Sequence, residues 1–501
     1  MNISMLLDMA ADAFGERTAV VCGDQSLTYA ELRHKAQNAA MRLRDSGAEY
    51  LALLDTNGPV LPVAIFAAGY AGIPYVPLNY RLTREEINGL IARVNPAVLV
   101  VGDEFRDKVD ALDGLQLTSS DEFMAAPPCA FEEEFVDPES VAVQLFTSGT
   151  TGKPKAALLR NENLIAYIVG TVEFGAAMEE DAVLVTVPPY HIAGISAVLS
   201  STYACRRMVQ LKNFEAGDWL KAAQDEMVSN AFVVPTMLSR IIETMQAARE
   251  TVELPNLRAL AYGGGKMPRA TIERAMELLP QVDFTNAYGL TETSSTVAVL
   301  TPDDHRMAMA SDEELVRKRI SSVGQPTGAV ELEIRDDQGQ VLGAGQAGMI
   351  FVRGGQVSGE YKEQGSTLSD DGWFCTKDLG YLDDDGYLFL EGREDDVIVR
   401  GGENISPGEI EDVLIAHPAV ADAACVAIPD EQWGEGIAAA VVLEAGAQVS
   451  VEELQALVKD QLRSSRVPQS IEFRDELPYN ELGKVLRRII RSEFAALHQA
   501  A

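Results

Sequence analysis

The sequence predicts an α/β protein: a large N-terminal domain of mainly parallel sheets covered by helices, followed by a small α+β C-terminal domain. Three observations carry this. The chain has 501 residues, about three times the common size of one domain. From residue 140 onward, short apolar runs alternate with helix-length stretches. A polar stretch at 371–385 then precedes a second αβ pattern that runs to the C-terminus, so the domains are drawn as 1–394 and 395–501.

Residues 56–80 carry no charge, yet Pro59, Pro62, Pro74 and Pro77, with Gly69 and Gly72, interrupt them. A membrane span needs about 20 apolar residues in sequence, so the stretch reads as a buried helix followed by a strand around Tyr75-Val76. The apolar runs lie at 141–146, 182–187, 231–234, 257–262 and 282–285, with helical stretches such as 218–228, 236–249 and 269–279 between them. Apolar strands alternating with helices indicate a largely parallel sheet covered on both faces, where ligands bind beyond the carboxyl ends of the strands. Further on, Ser406-Pro407-Gly408-Glu409 reads as a capping box with proline at the first helical position. That helix is expected to run to about His417, where Pro418 stops it.

Composition narrows the function classes. Hydrophobic residues at 47% and charged residues at 23% are the balance of a soluble globular chain. Lys plus Arg is 41 against 76 for Asp plus Glu, a formal charge of −35. Nucleic acid and anionic membranes are bound through Lys and Arg, so neither is an expected partner. The cysteines at 22, 129, 205, 375 and 425 show no C-x-x-C spacing, which argues against a disulfide framework or structural zinc and fits a reducing cytosol. Met1 to Asp8 makes a poor signal peptide, and cytoplasmic placement is the expectation.

The residues just past the strands are informative. After Phe146 comes Thr147-Ser148-Gly149-Thr150-Thr151-Gly152-Lys153-Pro154-Lys155, whose hydroxyls and glycine amides can wrap phosphate oxygens while Lys153 adds charge. It is not a Walker A loop, because Gly149 and Gly152 are too close and Pro154 comes after Lys153. After Val187 comes Pro188-Pro189-Tyr190-His191; after Tyr262, Gly263-Gly264-Gly265; after Thr285, Asn286-Ala287-Tyr288-Gly289-Leu290-Thr291-Glu292. Four consecutive strand ends carrying glycines, hydroxyls or titratable groups look like a nucleotide site.

By these residues, by 371–378 and 392–411, and by Gly483-Lys484, all in order, the chain resembles the adenylate-forming superfamily along its whole length. The 392–411 segment is most similar to the acyl- and aryl-CoA ligases. The resemblance implies a small mobile C-terminal domain that rotates between two half-reactions. A carboxylate attacks the α-phosphate of ATP, giving acyl-AMP and pyrophosphate; a thiol then attacks the acyl carbonyl and AMP leaves. ATP, Mg²⁺ and coenzyme A are the implied cofactors. It assigns Lys484 to bridging carboxylate and α-phosphate, Thr291 to the α-phosphate, Glu292 to Mg²⁺ and Tyr288 to adenine. It further assigns Asp378 to the ribose hydroxyls, Arg393 to the nucleotide, Asp395 to the hinge, and Gly401, Gly402 and Trp433 to coenzyme A. His191 and Gly264 fall at the acyl pocket, with His191 read as gate or wall rather than proton carrier and a core histidine as the competing reading. Tyr288 and Trp433 have the same competing reading, a packed core aromatic.

The chain departs from the family pattern at Lys377, where glycine is usual before Asp378, at Ala156 after Lys155, at Lys266 after Gly265, and at Ser464-Ser465-Arg466, which lacks an aromatic. Ile192-Ala193-Gly194-Ile195 suggests an apolar acid tail, as in fatty acid metabolism. The thiol is that of coenzyme A or, alternatively, a carrier protein's phosphopantetheine; a nucleotide-binding pseudoenzyme is the remote alternative. A homodimer is compatible with all three.

Overall fold

The computed structural model describes residues 1–128, 130–147, 154–248, 252–400, 403–430, 432–480 and 484–500, with backbone only for 404 and 497–500. The chain forms two compact units, one of residues 1–263, 267–331 and 352–374, the other of 264–266, 332–351 and 375–501.

Among the described residues the first unit holds two large sheets. One has nine strands, with the parallel run Thr18–Cys22, Arg207–Gln210, Ala182–Val185, Asn230–Val233, Ala259–Gly263 and Asp283–Leu290 at its centre. Antiparallel strands flank it, including Ser295–Leu300, which turns back on Asp283–Leu290. The other has eight strands, with Leu115–Ser119, Ala97–Val101, Tyr50–Leu54, Tyr75–Pro77 and Val141–Thr147 parallel. The expectation of one sheet with four functional strand ends is therefore corrected: Val141–Thr147 belongs to the second sheet and returns directly as the antiparallel strand Lys155–Arg160. A glycine-rich loop between two apolar runs closes a hairpin as readily as it opens a helix, and periodicity cannot tell these apart.

The uncharged stretch forms the helix Val60–Ala71 and the strand Tyr75–Pro77, as expected. Pro59 caps the helix, Pro62 lies in its first turn, and Gly72 ends it at φ +70°. Its 12 residues, almost all buried, span about 18 Å, well short of a bilayer. Among the described residues no helix is long and apolar enough to cross a membrane. Other boundaries shift: the expected runs at 182–187 and 231–234 become Ala182–Val185 and Asn230–Val233, the run at 257–262 becomes Ala259–Gly263, and 282–285 lengthens to Asp283–Leu290.

In the second unit, Glu331–Arg335, Gly348–Arg353, Phe374–Leu382 and Leu388–Arg393 form a four-stranded sheet, most of whose residues fall in this unit. Farther along, Val420–Asp430 and Gly434–Leu443 pair antiparallel, with Ser470–Arg474 parallel to the latter. Alternation sorts their side chains. Cys425, Ala427, Ala439 and Val441 pack with Ile410, Leu414, Leu454 and Val458, from the helices Pro407–Ile415 and Val451–Gln461. Ala424, Val426, Ala438 and Ala440 pack with Ile490 and Phe494 of the helix Arg487–Ala500. Period two in the strands thus buries both faces, the expected small α+β arrangement.

The expected capping box at Ser406 is not formed. Ser406 donates instead to the Glu391 carbonyl, Glu409 pairs with Arg466 at 3.4 Å, and the helix stops at Ile415 rather than His417.

Buried His305 shows how the first sheet ties to its cover. Its Nδ1 lies 2.7 Å from the Thr301 carbonyl and must donate, so its Nε2, 2.8 Å away, accepts from the Tyr262 hydroxyl. Burial holds its pKa below the ordinary histidine value. Below about pH 6.5 the unfolded chain binds a proton that the folded one refuses, so stability falls as pH drops through that value until the folded pKa is reached. The stability gap between wild type and His305→Gln is expected to narrow from pH 7 to pH 5. Urea unfolding at both pH values checks this.

Candidate functional site

In the first unit the site is built where two strands end. Thr147 closes the Val141–Thr147 strand, and Lys155 opens its antiparallel return opposite Thr147. The phosphate-loop residues Ser148, Gly149, Thr150, Thr151, Gly152 and Lys153 lie outside the described residues. Their flanks are fixed. Arg93 donates to the Pro154 carbonyl at 2.9 Å, lies over the Phe146 ring at 4.7 Å and pairs with Glu363. Glu363 also accepts from the Ala156 amide at 3.2 Å, so the alanine in place of glycine costs no hydrogen bond. Nearby contacts hold the Glu363 carboxyl below the usual glutamate range despite the opposing effect of burial.

The second strand end is Asp283–Leu290. Asn286 is buried and donates to the Ser322 carbonyl at 3.0 Å; Tyr288 is buried on the same side, two residues along. Gly263 pairs with Ala287 in register, and an added Cβ there would run into the Ala287 carbonyl oxygen. At Gly289 an added Cβ would meet the Ser295 carbonyl oxygen, because the chain turns back immediately. That turn contains Thr291 and Glu292 and ends in Ser294 and Ser295, both at positive φ. Thr293 secures it with its hydroxyl to the Leu290 and Ser295 carbonyls, at 3.0 and 2.8 Å.

Glu292 is buried by this turn. Its Oε1 accepts from the Tyr361 hydroxyl at 2.6 Å, and its carbonyl accepts from the Ser358 and Gly359 amides at 2.9 and 3.1 Å. Its second carboxylate oxygen makes no hydrogen bond among the described residues. Lys155 lies 5.5 Å over the Tyr361 ring, so the return strand of the phosphate loop and the acidic turn come together at Tyr361. A buried carboxylate with one oxygen committed and one open suits Mg²⁺, which takes one or two protein carboxylates and completes its shell with phosphates and water. Among the described residues no group of three or more His, Cys, Asp or Glu could hold a metal alone.

His191 is the residue before the helix Ile192–Tyr203, half-buried, its ring 4.5 Å from that of Tyr190. It is therefore not a fully enclosed core histidine. Tyr190 is buried against Tyr80 and carries the packing.

The remaining assigned residues are in the second unit. Asp378 and Arg393 face each other across paired strands, with Nε 3.0 Å from Oδ1. Lys377, between Thr376 and Asp378, adopts φ +63°, the left-handed region, and its ammonium lies 3.5 Å from Glu394. That backbone explains why glycine is usual at this position. Gly264 takes φ +80°, and Gly265 precedes Lys266, which pairs with Asp412. Asp395 lies in the short turn Glu394–Asp396. Trp433 is 45% exposed, so it is not a core aromatic, and its amide donates to Asp430 at 2.8 Å. Lys484 is exposed, on a loop closed at its base by Asn480. Gly401, Gly402 and Gly483 lie outside the described residues.

Tyr361, Arg93 and Glu363 were missed by sequence reasoning. Each acts across a long sequence separation (69 residues from Glu292 to Tyr361), and none lies in a recognisable motif.

Comparison with known proteins gives a consistent picture. Residues 7–362 match the AMP-binding enzyme family and residues 409–484 its C-terminal domain family. The chain is 33% identical over 489 residues to a 2-succinylbenzoate–CoA ligase of Bacillus licheniformis, covering 96% of this chain and 98% of that one. It is 34% identical over 490 residues to a feruloyl-CoA synthase of Amycolatopsis, covering 95% and 96%. Among solved structures it is similar to the o-succinylbenzoate CoA synthetase of Bacillus subtilis in complex with its acyl-adenylate intermediate, with TM-score 0.82, 29% identity and 97% coverage of both chains. The same synthetase in complex with ATP and magnesium ion superposes with TM-score 0.80, at 29% identity and with 96% of this chain and 98% of that one covered.

Two outcomes are expected from this geometry. Tyr361→Phe leaves the fold intact but raises the Mg²⁺ concentration needed for half-maximal activity about tenfold, the usual cost of losing a partner that orients a metal ligand. A Mg²⁺ titration of pyrophosphate release measures it. Lys377→Gly relieves left-handed strain of about 1–2 kcal/mol against a glycine entropy cost of about 0.5–1 kcal/mol. The exposed Glu394 pair contributes little. Thermal unfolding is therefore expected to show Lys377→Gly at least as stable as wild type.

Proposed function

The chain belongs to the AMP-binding enzyme family, and from that premise we propose that its substrate is an aromatic carboxylic acid. The enzyme activates a carboxylic acid with ATP to an acyl-AMP, releasing pyrophosphate, and transfers the acyl group to coenzyme A. ATP, Mg²⁺ and coenzyme A are its cofactors. The names of two different relatives, a succinylbenzoate ligase and a feruloyl synthase, support an aromatic acid over the fatty acid that the apolar run 192–195 suggests. We place the enzyme in the cytosol, a reading supported by free thiols at Cys22, Cys205, Cys375 and Cys425.

The open oxygen of buried Glu292 is the observation that carries the residue assignments. Two anions have to meet, so positive charge and donors are needed where the bond forms. In the proposed mechanism Glu292 would hold Mg²⁺, which would supply neutralisation of phosphate charge. The 147–153 run wraps the β- and γ-phosphates through its amides, hydroxyls and Lys153. Thr291 donates to the α-phosphate, and Lys484 bridges the acid and that phosphate. Tyr288 is assigned to adenine, and Gly263, Gly264, Gly265, Asn286, Ala287 and Gly289 are assigned to the nucleotide. Asp378, oriented by Arg393, accepts from the ribose hydroxyls. His191 and Gly264 border the acid. We keep the functional boundary between 394 and 395, with Asp395 as hinge; Gly401, Gly402 and exposed Trp433 serve coenzyme A in the second half-reaction.

The test is to supply ATP, Mg²⁺ and coenzyme A with 2-succinylbenzoate, ferulate or a C8–C16 fatty acid, following pyrophosphate and thioester. Thioester from an aromatic acid, with kcat/KM about 10²-fold or more above the fatty acids, is expected. Thioester from fatty acids alone would overturn the substrate reading. Lys484→Ala is expected to slow pyrophosphate release about 10²–10³-fold.

A further inference from the structure

The Lys484 loop is closed at its base. Asn480 donates its amide to the Lys484 carbonyl at 2.8 Å, and the Lys484 amide donates to Asn480 Oδ1 at 2.9 Å. Tyr479 and Val485 form a bridge, and the Leu486 amide donates to the Pro478 carbonyl at 2.7 Å. Directly after this base comes Arg487, the first residue of the helix Arg487–Ala500.

Arg487 joins two other elements of the same unit. Its Nη2 lies 2.9 and 3.0 Å from the two oxygens of Glu411, on the helix Pro407–Ile415. Its Nε lies 3.6 Å from Asp396, the residue after the candidate hinge. Glu411 is only 7% exposed, and its Oε1 also accepts from the Cys425 amide at 2.7 Å. Replacing a buried ion pair with apolar side chains is often neutral or stabilising, so stability is a poor account of this one. What a planar guanidinium adds is a fixed orientation between the groups it joins, with Nη2 on both Glu411 oxygens and Nε facing Asp396.

We infer that Arg487 is a positioning residue for the adenylation half-reaction. It struts the base of the Lys484 loop against the segment leaving the hinge, so that rotation at Asp395 carries Lys484 as part of one rigid body. This rests on the proposed roles of Lys484 and Asp395. The proposed mechanism gives Lys484 a role in adenylation alone, so the strut matters to one half-reaction and not to the other.

The experiment separates the two. Arg487→Met, Arg487→Lys and Lys484→Ala are assayed in the full-length enzyme for pyrophosphate release from acid and ATP. They are also assayed for thioester formation from chemically prepared acyl-adenylate and coenzyme A. Arg487→Met is expected to lose up to about 10²-fold in kcat for pyrophosphate release, the scale set by an ångström of misplacement, with KM for ATP nearly unchanged. Its thioester formation should stay within about threefold of wild type, a margin of less than 1 kcal/mol. If Arg487→Met does not fold, Arg487→Lys decides: it keeps the charge, loses the planar guanidinium, and should show the same split at about tenfold. Equal losses in both half-reactions would make Arg487 merely structural and overturn the inference, as would unchanged pyrophosphate release. Full pyrophosphate release by Lys484→Ala would overturn the assignment of Lys484 itself, a failure distinct from that of the strut.

Discussion

The hold on Glu292 is the interaction on which the first unit's site depends. Its carbonyl takes the Ser358 and Gly359 amides and its carboxylate takes the Tyr361 hydroxyl. Tyr361 in turn pairs in register with Ala157 on the return strand of the phosphate loop. One residue therefore ties the acidic turn ending a strand of the nine-stranded sheet to the hairpin of the eight-stranded one. The Arg160–Glu360 pair, 2.9 Å at both oxygens, and the Ser358 hydroxyl on the Leu158 carbonyl at 2.8 Å clamp the same segment. The loop proposed to wrap phosphate needs its ends fixed before the ligand arrives, and these bonds fix one of them. Arg93 and Glu363 hold the same end from outside.

The second unit solves a different problem. A small sheet that carried the proposed catalytic lysine, Lys484, on a floppy edge would deliver it poorly. Here both faces of the Val420–Asp430 and Gly434–Leu443 pair are covered, one by two helices and the other by the terminal helix. The lysine loop sits immediately before that terminal helix, so its base inherits the rigidity of the packed layer. Side-chain alternation in the strands is thus linked through packing to placement of a single ammonium group.

Much of this was legible in the sequence because adenylate-forming chemistry is written in contiguous runs. Thr147 to Lys153 and Asn286 to Glu292 stand out by composition after apolar runs, whereas the Gly483-Lys484 pair is singled out only by resemblance to the family. The alternation of strand and helix was readable too, for period and length are local properties. Sheet membership was not. Whether the strand after residue 140 joins one sheet or another depends on which edge it meets, and nothing within 141–147 encodes that. Tyr361 was hidden for the same reason: its partner lies 69 residues away. Ser406 shows the converse. The local pattern was right for a capping box, but the Ser406 hydroxyl is turned to donate to the Glu391 carbonyl and the Glu409 carboxylate is turned to Arg466, so tertiary contacts overrode it.

The chain's charge sets a constraint on how such a site can work. A protein at −35 repels ATP and a carboxylate at long range, yet it must bring both together. At physiological salt that repulsion is screened beyond about 8 Å, so binding is decided by groups in contact with the ligand. Several of the cations around the first-unit site are already engaged. Arg93 is spent on Glu363 and Pro154, Arg160 on Glu360, and Lys155 lies over the Tyr361 ring. Fixed arginines hold backbone in place, while amides and hydroxyls at strand ends supply the donors. In the proposed mechanism Lys153 and Lys484 supply the charge. On that proposal an acidic enzyme handles anionic substrates by neutralising its scaffold cations within the protein and leaving the ligand to Lys153 and Lys484, at short range where screening does not reach.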